Sequence, residues 1–335
     1  MTQPTETAPL LEIKTLTKHF PVYRQGLVRR EIGRVRAVDN VSFNLYPGET
    51  LGLVGESGCG KTTTGRTILR ALTPSSGEVW FNSADTRTNL AGLESKQLKP
   101  LRRQMQMIFQ DPFSSLNPRM TIGDIVGEPL RIHRMARGAV LRAQVAEMLH
   151  RVGLNPEHAS RYPHAFSGGQ RQRVGIARAL VMRPQLVIAD EAVSALDVSV
   201  QAQIINLLEE LQTEFNLTLL FIAHDISVVR HMCDRIAVMY AGKIVELAKT
   251  DELFENPCHP YTRLLLSAVP LPDPDKKMHF PAKGQVVDLS RLPTGCAFHP
   301  RCIHCKENCR TYTPDLYDHE GRQVACHLYA EQDQF

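Results

Sequence analysis

The most informative stretch of the sequence is Thr50-Leu51-Gly52-Leu53-Val54-Gly55-Glu56-Ser57-Gly58-Cys59-Gly60-Lys61-Thr62. An apolar, strand-like run ends at Val54, a glycine-rich turn follows, and helical periodicity begins at Lys61. The turn has the order Gly, four residues, Gly, Lys and Thr, which is the pattern of a phosphate-binding loop. A strand, a glycine turn and a helix in this order place backbone N–H groups and a helix N-terminus on a phosphate. The stretch therefore predicts a nucleotide site.

Each part of this loop has a predicted role. Lys61 is expected to reach the β- and γ-phosphates, and the Thr62 hydroxyl is expected to ligate Mg²⁺. ATP and Mg²⁺ are therefore the predicted cofactors. The predicted nucleotide-binding residues of the loop are Gly55, Glu56, Ser57, Gly58, Cys59, Gly60, Lys61, Thr62 and Thr63. The alternative is an ordinary glycine turn that caps a helix.

A second apolar strand, Leu186 to Asp190, ends in a pair of carboxylates. Enzymes with a phosphate-binding loop hold Mg²⁺ with an acid at the end of such a strand, so Asp190 is the predicted anchor of the ion. Glu191 stands one residue further and is the predicted general base that polarises the attacking water. The alternative is a strand end that exposes two solvated acids.

Strands and helices alternate along the rest of the chain. The predicted strands are Leu10 to Phe20, Ala37 to Leu45, Leu217 to Ala223 and a hairpin of Ile236 to Tyr240 with Lys243 to Leu247; the predicted helices are Lys61 to Leu72, Ile122 to Ile132, Arg137 to Val152, Gly168 to Val181 and Val198 to Phe215. The basic stretch Val22 to Val35 is expected to be a loop. Alternation of this kind predicts an α/β fold with a parallel sheet covered by helices.

The stretch Phe166-Ser167-Gly168-Gly169-Gln170 opens one of these helices. It resembles the signature sequence of ABC ATPases, with Phe166 in place of the usual leucine. In that family the signature of one subunit binds the γ-phosphate held by the phosphate loop of the other. The resemblance therefore implies a dimer and nucleotide contacts for Ser167, Gly168, Gly169 and Gln170. A serine and two glycines at a helix start also predict an anion-binding N-terminus on physical grounds, and a structural helix cap is the alternative.

Three further residues fall where the ABC family has functional ones. Gln110 resembles the glutamine that links the metal ion and the attacking water to the helical subdomain. His224 resembles the histidine that contacts the γ-phosphate and supports Glu191. Asp197 closes a Ser-Ala-Leu-Asp stretch that resembles the loop crossing the dimer interface. A solvated loop glutamine and a structural strand-end histidine are the alternatives for the first two.

Two positions make the resemblance less complete. Phe20 matches the place where the family stacks an aromatic ring on adenine, but Tyr23 competes with it, and a core or edge aromatic is a further alternative. Ala192 follows the paired acids where the family usually has proline. This change alters the stiffness of the turn and leaves both carboxylates in place.

Sequence outside the catalytic motifs resembles one branch of the family. The stretches Ser114 to Met120, Arg161 to His164 and Asn256 to Thr262 look like the oligopeptide/dipeptide importer ATPases, in particular their second ATPase subunit. The resemblance implies a sister ATPase, identical or different, two membrane permease subunits and, indirectly, an extracytoplasmic solute-binding protein. It also implies a peripheral position at the cytoplasmic face of the cell membrane and a di- or oligopeptide solute, with nickel and glutathione as related solutes.

Five cysteines crowd the last 40 residues. Of these, Cys296, Cys302, Cys309 and Cys326 match the C-terminal extension of this branch, which resembles a four-cysteine [4Fe-4S] site. Four thiolates also suit tetrahedral Zn²⁺. A different zinc set would use the extra thiol of Cys305 together with His299 or His304. A metal-free set of reduced thiols is the third alternative.

The predicted organisation is an ABC ATPase domain over 10–250 with an antiparallel β subdomain and an inserted helical subdomain at 113–166, followed by a small Cys-rich extension over 251–335. The chain has 335 residues and a formal net charge of +4, which is too weak to predict a nucleic-acid partner. We find no apolar run of membrane-spanning length and no secretory signal at the N-terminus.

Two other classes of protein compete with the importer ATPase. A soluble ABC ATPase acting on nucleic acid, ribosomes or iron–sulfur assembly would share every catalytic residue, but such proteins usually have tandem cassettes, long coiled-coil insertions or atypical signatures. A regulatory module that binds ATP without hydrolysing it would not need Glu191, His224 and Gln110. The sequence therefore favours the importer ATPase.

Overall fold

The computed structural model describes residues 8–24, 30–83, 86–267 and 287–329. These residues belong to two compact units. Among the described residues, the carboxylate unit contains Ala8, residues 46–50 and residues 92–222. The phosphate-loop unit contains the described residues of 9–45, 51–91 and 223–329.

The strands and helices have the following bounds. The strands are β1 Leu11–Arg24, β2 Arg30–Leu45, β3 Thr50–Val54, β4 Ser76–Ser83, β5 Thr86–Asn89, β6 Met105–Ile108, β7 Leu186–Asp190, β8 Thr218–Ile222, β9 Arg235–Tyr240, β10 Lys243–Lys249, β11 Tyr317–His319 and β12 Arg322–Val324. The helices are α1 Lys61–Ile68, α2 Ser95–Leu101, α3 Ile122–Ile132, α4 Gly138–Arg151, α5 Gly168–Leu180, α6 Val198–Phe215, α7 Ile226–Met232, α8 Thr250–Glu255, α9 Pro260–Ser267 and α10 Glu307–Thr311.

An antiparallel sheet in the order β2-β1-β4-β5 forms one part of the phosphate-loop unit. The pairing of β1 with β2 runs from Leu11 opposite Leu45 to Arg24 opposite Arg30. The expected loop at Val22 to Val35 is therefore wrong where the structure describes it, because β1 continues to Arg24 and β2 begins at Arg30. This end of the hairpin is exposed on both faces, so its sequence lacks the alternation of apolar and polar residues that marks a half-buried strand.

A second set of strands in the same unit has the order β11-β12-β10-β9-β3. β3 and β9 are parallel, and β9 and β10 form the predicted hairpin with Ala241 and Gly242 at its turn. Both turn residues have positive φ angles, 48° and 83°, as a tight hairpin turn requires. β12 pairs with β10 and β11 pairs with β12, so the Pro-rich C-terminal extension adds strands to this sheet, which we did not expect.

The carboxylate unit is built on the parallel strands β6, β7 and β8. Every residue of β7 and β8 is buried, which explains why their sequences are continuously apolar rather than alternating. Helices α3 and α5 begin with side-chain caps from Thr121 and Ser167, and α3 and α6 have the predicted bounds. The α/β prediction is confirmed in this unit.

Helix α1 is shorter than predicted and ends at Ile68 rather than Leu72. The chain leaves the helix at Arg70, which has a left-handed φ of 55°.

Among the residues that the structure describes, no helix combines the length and the apolar character needed to cross a lipid bilayer.

Candidate nucleotide-binding site

The phosphate loop passes so close to neighbouring backbone that two of its positions accept only glycine. A Cβ atom at Gly55 would lie 2.1 Å from the Met239 carbonyl oxygen, and one at Gly60 would lie 1.9 Å from the Ala37 carbonyl oxygen. Gly60 also has a φ of 110°, which L-residues rarely adopt. The glycines therefore serve the close packing of the loop as well as its predicted contact with phosphate.

Lys61 begins helix α1 and its side chain is folded back over the loop. Its Nζ donates hydrogen bonds to the Gly55 carbonyl at 2.8 Å and the Glu56 carbonyl at 3.1 Å, and the residue is 4% exposed. The ammonium group is thus held against the loop by backbone oxygens, and its contact to phosphate stays a prediction. Burial raises the pKa of the adjacent Cys59 thiol, so this side chain is a protonated, packed thiol.

The outer side of the loop is held by two residues from the C-terminal part of the chain. The Glu56 backbone N–H donates to the Tyr261 hydroxyl at 2.9 Å. Arg301 Nη1 lies 3.0 Å from each of the Glu56 carboxylate oxygens. Sequence reasoning did not single out either residue for the site. Tyr261 lies in the stretch Asn256 to Thr262, which indicated only the resemblance to oligopeptide/dipeptide importer ATPases.

In the carboxylate unit, the two acids stand at the end of β7 as predicted. Asp190 is completely buried. Glu191 follows in a left-handed conformation, with φ 48°, and its backbone N–H donates to the Ile222 carbonyl at 2.9 Å. Gln110 Nε2 donates to Glu191 Oε2 at 2.6 Å. The structure therefore brings the predicted base and the predicted glutamine into direct contact.

The signature stretch begins helix α5 with a reciprocal pair of hydrogen bonds. The Gln170 backbone N–H donates to Ser167 Oγ at 3.3 Å, and the Ser167 backbone N–H donates to Gln170 Oε1 at 3.1 Å. This is a capping box. The structural role of these two side chains is therefore visible, and their predicted contact with a nucleotide remains a prediction. Phe166, in place of leucine, is buried.

Helix α5 is also tied to the segment that follows Gln110. Arg178 Nη1 donates to the Ser115 carbonyl at 2.6 Å, and the guanidinium of Arg171 lies 4.2 Å from the centre of the Phe113 ring. Burial lowers the pKa of Arg178. These contacts connect the signature helix to the Gln110 segment within one unit.

The predicted site residues are divided between the two units. The phosphate-loop residues, Thr62, Thr63 and His224 belong to the phosphate-loop unit, whereas Gln110, Asp190, Glu191, Asp197 and the signature belong to the carboxylate unit. His224 is exposed and immediately precedes Asp225, which caps helix α7. Asp197 is exposed and precedes α6. Their roles at a nucleotide stay predictions.

The two aromatic candidates for stacking on adenine lie on the same strand. Phe20 lies on β1 with Lys18 Nζ 4.9 Å from its ring centre, and Tyr23 lies three residues further along the same strand, 38% exposed. A cation over the ring of Phe20 is a stable arrangement in itself. The stacking role of Phe20 therefore remains a prediction.

The four predicted cluster cysteines occupy one environment. Burial raises the pKa of Cys296 to about 11 and that of Cys326 to about 12. Cys302 and Cys309 contribute to both increases, because ionisation of one thiol disfavours ionisation of its neighbours. Within the described residues, however, no group of three or more His, Cys, Asp or Glu side chains is arranged to hold a metal ion. The geometry therefore does not support the predicted [4Fe-4S] or Zn²⁺ site.

The order of these features defines a class of protein. A phosphate loop between strand and helix, paired acids at the end of a buried strand and a Ser-Gly-Gly-Gln helix start together characterise ABC-type ATPases. Residues 38–194 match the ABC transporter family. Residues 245–309 match the C-terminal region of oligopeptide/dipeptide transporters.

Similar proteins are known at high identity. The oligopeptide transport ATP-binding protein AppF of Bacillus subtilis is 52% identical over 325 residues, which cover 96% of this chain and 98% of AppF. The oligopeptide transport ATP-binding protein OppF of the same organism is 60% identical over 271 residues, 80% of this chain and 85% of OppF. The glutathione import ATP-binding protein GsiA of Pectobacterium atrosepticum is 51% identical over 293 residues, 88% of this chain and 46% of GsiA.

Solved structures share the fold. The dimeric post-hydrolysis structure of the ATP-binding cassette MJ0796, bound to ADP and Pi, has a TM-score of 0.60 and 31% identity, and the match covers 72% of this chain and 98% of that one. The chain therefore belongs to the family of ABC transporter ATP-binding proteins of the oligopeptide/dipeptide type. The predicted fold and ATPase class are confirmed, and the transporter interpretation is supported over that of a soluble ABC ATPase.

Proposed function

We propose that this ATPase powers the uptake of di- or oligopeptides by an ABC importer. The hydrolytic part of the proposal rests on the 2.6 Å hydrogen bond from Gln110 to Glu191. Glu191 directly follows the buried Asp190. The peptide part is supported by the similarity to the two Bacillus oligopeptide transport proteins and by the match of residues 245–309. The glutathione import protein of Pectobacterium makes a glutathione solute the second candidate.

In the proposed reaction, backbone N–H groups of the phosphate loop and Lys61 hold the β- and γ-phosphates. Glu191 accepts a proton from the water whose oxygen attacks the γ-phosphorus. The bond between that phosphorus and the bridging oxygen of ADP breaks as the new bond forms. Gln110 donates a hydrogen bond to one carboxylate oxygen of Glu191, and this orients the other oxygen toward the water.

Mg²⁺ would be held by Thr62, Asp190 and Gln110, and when bound it would neutralise charge on the phosphates. His224 is the proposed contact to the γ-phosphate and support of Glu191. Ser167, Gly168, Gly169 and Gln170 would act on nucleotide held by a partner ATPase, with Asp197 at the interface. The dimeric solved structure of a similar cassette supports the dimer that this arrangement needs. An aromatic at Phe20 would stack on the adenine.

The partners of this chain are proposed to be a sister ATPase and two permease subunits at the cytoplasmic face of the cell membrane, served by an extracytoplasmic binding protein. The proposed ATPase domain covers 10–250, with a helical subdomain at 113–166, and the extension covers 251–335.

The presence of a metal at Cys296, Cys302, Cys309 and Cys326 stays a hypothesis. Iron, sulfide and zinc analysis of anaerobically purified chain tests it, and a metal-free, folded chain would refute it.

The transport proposal is tested by peptide uptake in a host strain that lacks the gene for this chain. Plasmid-borne wild-type chain is expected to restore uptake of a radiolabelled tripeptide. The Lys61→Ala variant is expected to fail because the loop loses its cation, whereas Lys96→Ala, which changes an exposed lysine of α2, should restore uptake fully.

The same strain allows affinity purification of tagged chain from detergent-solubilised membranes. Recovery of two permease subunits with a second ATPase supports the proposal. Recovery of ribosomal, DNA-repair or cluster-assembly proteins without a permease would overturn it. If permeases are recovered but the tripeptide is not taken up, direct uptake of labelled glutathione or nickel identifies the solute class.

A further inference from the structure

Glu56 lies at a junction between the phosphate loop and the C-terminal extension. Three of its groups have partners: the carboxylate faces Arg301 Nη1 at 3.0 Å, the backbone N–H donates to the Tyr261 hydroxyl at 2.9 Å, and the backbone carbonyl accepts from Lys61 Nζ at 3.1 Å. Glu56 therefore connects two residues of the extension to the lysine predicted to bind phosphate.

The partners of Glu56 are themselves firmly placed. Tyr261 lies on helix α9 and is completely buried. Its ring packs against Tyr240, with ring centres 4.5 Å apart, and against Phe298, at 5.5 Å. The Arg301 side chain is only 10% exposed, and its guanidinium carbon lies 5.7 Å from the centre of the Phe298 ring. Aromatic packing thus fixes both groups that hold Glu56.

Arg301 is positioned by the cysteine-bearing segment. It ends the short 3₁₀ turn His299–Arg301, between Cys296 and Cys302. The turn is held to Cys296, because the backbone N–H of His299 donates to the Cys296 carbonyl at 3.0 Å. Cys296 is held in turn by its own N–H, which donates to the Cys309 carbonyl at 2.8 Å. The position of the arginine therefore depends on the fold of the cysteine segment.

The charge of Glu56 is unfavourable for a loop that binds a polyanion. A carboxylate on the loop repels the phosphates of ATP unless a cation neutralises it. Arg301 is that cation, and since the pair is mostly desolvated it is only weakly screened by solvent. The arginine thus offsets the charge of Glu56 and restrains the loop at the same time.

We propose that Arg301 is a positioning residue of the ATP site: it neutralises Glu56 and, with Tyr261, holds the phosphate loop in its binding conformation, so that the cysteine segment supports nucleotide binding. The inference rests on the proposed ATP site at the phosphate loop. It assigns to the C-terminal extension a direct part in the affinity for ATP.

The test measures the affinity of the purified full-length chain for fluorescent N-methylanthraniloyl-ATP, together with kcat and KM for ATP hydrolysis. Arg301→Gln should weaken binding about tenfold, since a charged hydrogen-bond partner is lost and Glu56 is left unpaired. The loss should appear in KM more than in kcat, because Arg301 does not touch the reacting atoms. Arg310→Gln, an exposed change on α10 of the same segment, is the matched control and should bind as the wild type does.

Rescue separates this role from general support of the fold. Arg301→Lys keeps the positive charge and should restore part of the affinity. The double variant Arg301→Gln/Glu56→Gln should bind more tightly than Arg301→Gln alone, because no unpaired carboxylate remains beside the phosphates. Tyr261→Phe keeps the ring, removes the acceptor for the Glu56 N–H, and should weaken binding less than Arg301→Gln does.

Thermal unfolding of each variant shows whether it is folded at the assay temperature. If folded Arg301→Gln binds as tightly as wild type, or if the double variant binds no better than Arg301→Gln, the inference is overturned. If the wild-type chain itself does not bind the ATP analogue, the proposed ATP site fails instead, so the two failures are distinguishable.

Discussion

Glu191 is placed by an unusual backbone conformation for its residue type. A left-handed φ of 48° costs a non-glycine residue roughly 1–3 kcal/mol, and such conformations cluster at functional sites. Here the backbone is held by the Ile222 carbonyl, which accepts from the Glu191 N–H, and by Ser194 Oγ, which donates to the Glu191 carbonyl at 3.0 Å. The turn directs the side chain to Gln110.

Replacement of Glu191 by glutamine should separate ATP binding from ATP hydrolysis. The amide keeps the size of the side chain but accepts no proton, so we expect kcat to fall by about a hundredfold or more while nucleotide affinity is retained. Glu210→Gln, an exposed change on α6, is the control. Single-turnover hydrolysis and equilibrium binding measure the two quantities. Hydrolysis at wild-type rate by Glu191→Gln would refute the role as base.

His259 makes the stability of the chain sensitive to acid. It is 1% exposed, and its Nδ1 accepts the backbone N–H of Tyr261 at 3.0 Å. Burial lowers its pKa from 6.5 to about 3. Because the native imidazole stays neutral while the unfolded one takes up a proton, its contribution to stability is complete above pH 6.5 and is lost as the pH falls toward about 3.

Urea unfolding between about pH 7 and pH 4 measures this effect. Below pH 6.5 the free energy of unfolding of the wild type should fall about 1.4 kcal/mol per pH unit more steeply than that of His259→Asn, which can accept the same N–H. His150→Gln, at an exposed position of α4, should follow the wild-type slope. Parallel slopes for wild type and His259→Asn would show that this histidine does not control acid stability.

At the scale of elements, helix α5 approaches α6 through a glycine. A Cβ at Gly169 would lie 2.5 Å from Val200 Cγ1, whereas a Cβ at Gly175, in the middle of the same helix, would meet no atom within 4 Å. The signature glycine therefore allows the two helix N-termini to pack closely. Gly175 has no such steric requirement.

Matched alanine substitutions in α5 test this difference. Gly169→Ala should destabilise the chain by roughly 1–3 kcal/mol because the added methyl forces Val200 or the helix to move. Gly175→Ala should stabilise it by roughly 0.5–1 kcal/mol through helix propensity. Denaturant unfolding gives both values. A destabilisation by Gly175→Ala equal to that of Gly169→Ala would contradict the steric explanation.

At the scale of the whole molecule, the C-terminal extension is joined to the sheet of the phosphate-loop unit. β12 pairs with β10, and the Ala325 N–H donates to the Val245 carbonyl at 2.8 Å. Val324 is completely buried and packs with Cys258 and Cys326. The buried carboxylate of Glu246, on β10, accepts the backbone N–H groups of Cys258 and His259.

Removal of residues 256–335 should therefore damage the remaining chain. The truncation exposes the edge of β10 and leaves the Glu246 carboxylate without two of its donors, so we expect the melting temperature to fall by more than about 5 °C and the chain to aggregate. Thermal unfolding and size-exclusion chromatography measure both. A soluble truncated chain with the wild-type melting temperature would show that the extension is an independent domain.

Features that depend on neighbouring residues could be predicted without the structure. The phosphate loop, the acids at the end of β7 and the capped start of α5 were predictable because glycine patterns, apolar runs and helix caps are local signals. The family branch was also readable from short stretches. By contrast, the strand pairing of 22–24 with 30–33 was missed because a doubly exposed strand has no periodic apolar signal.

Contacts between residues that are distant along the chain depend on tertiary packing. Gln110 reaches Glu191 across 81 positions of the chain, Tyr261 reaches Glu56 across 205, and Arg301 reaches Glu56 across 245. Such contacts leave no periodicity in a single sequence, because they arise from the packing of elements that are remote along the chain. For the same reason the cysteines suggested an iron–sulfur or zinc site, whereas no metal-holding arrangement is found among the described residues.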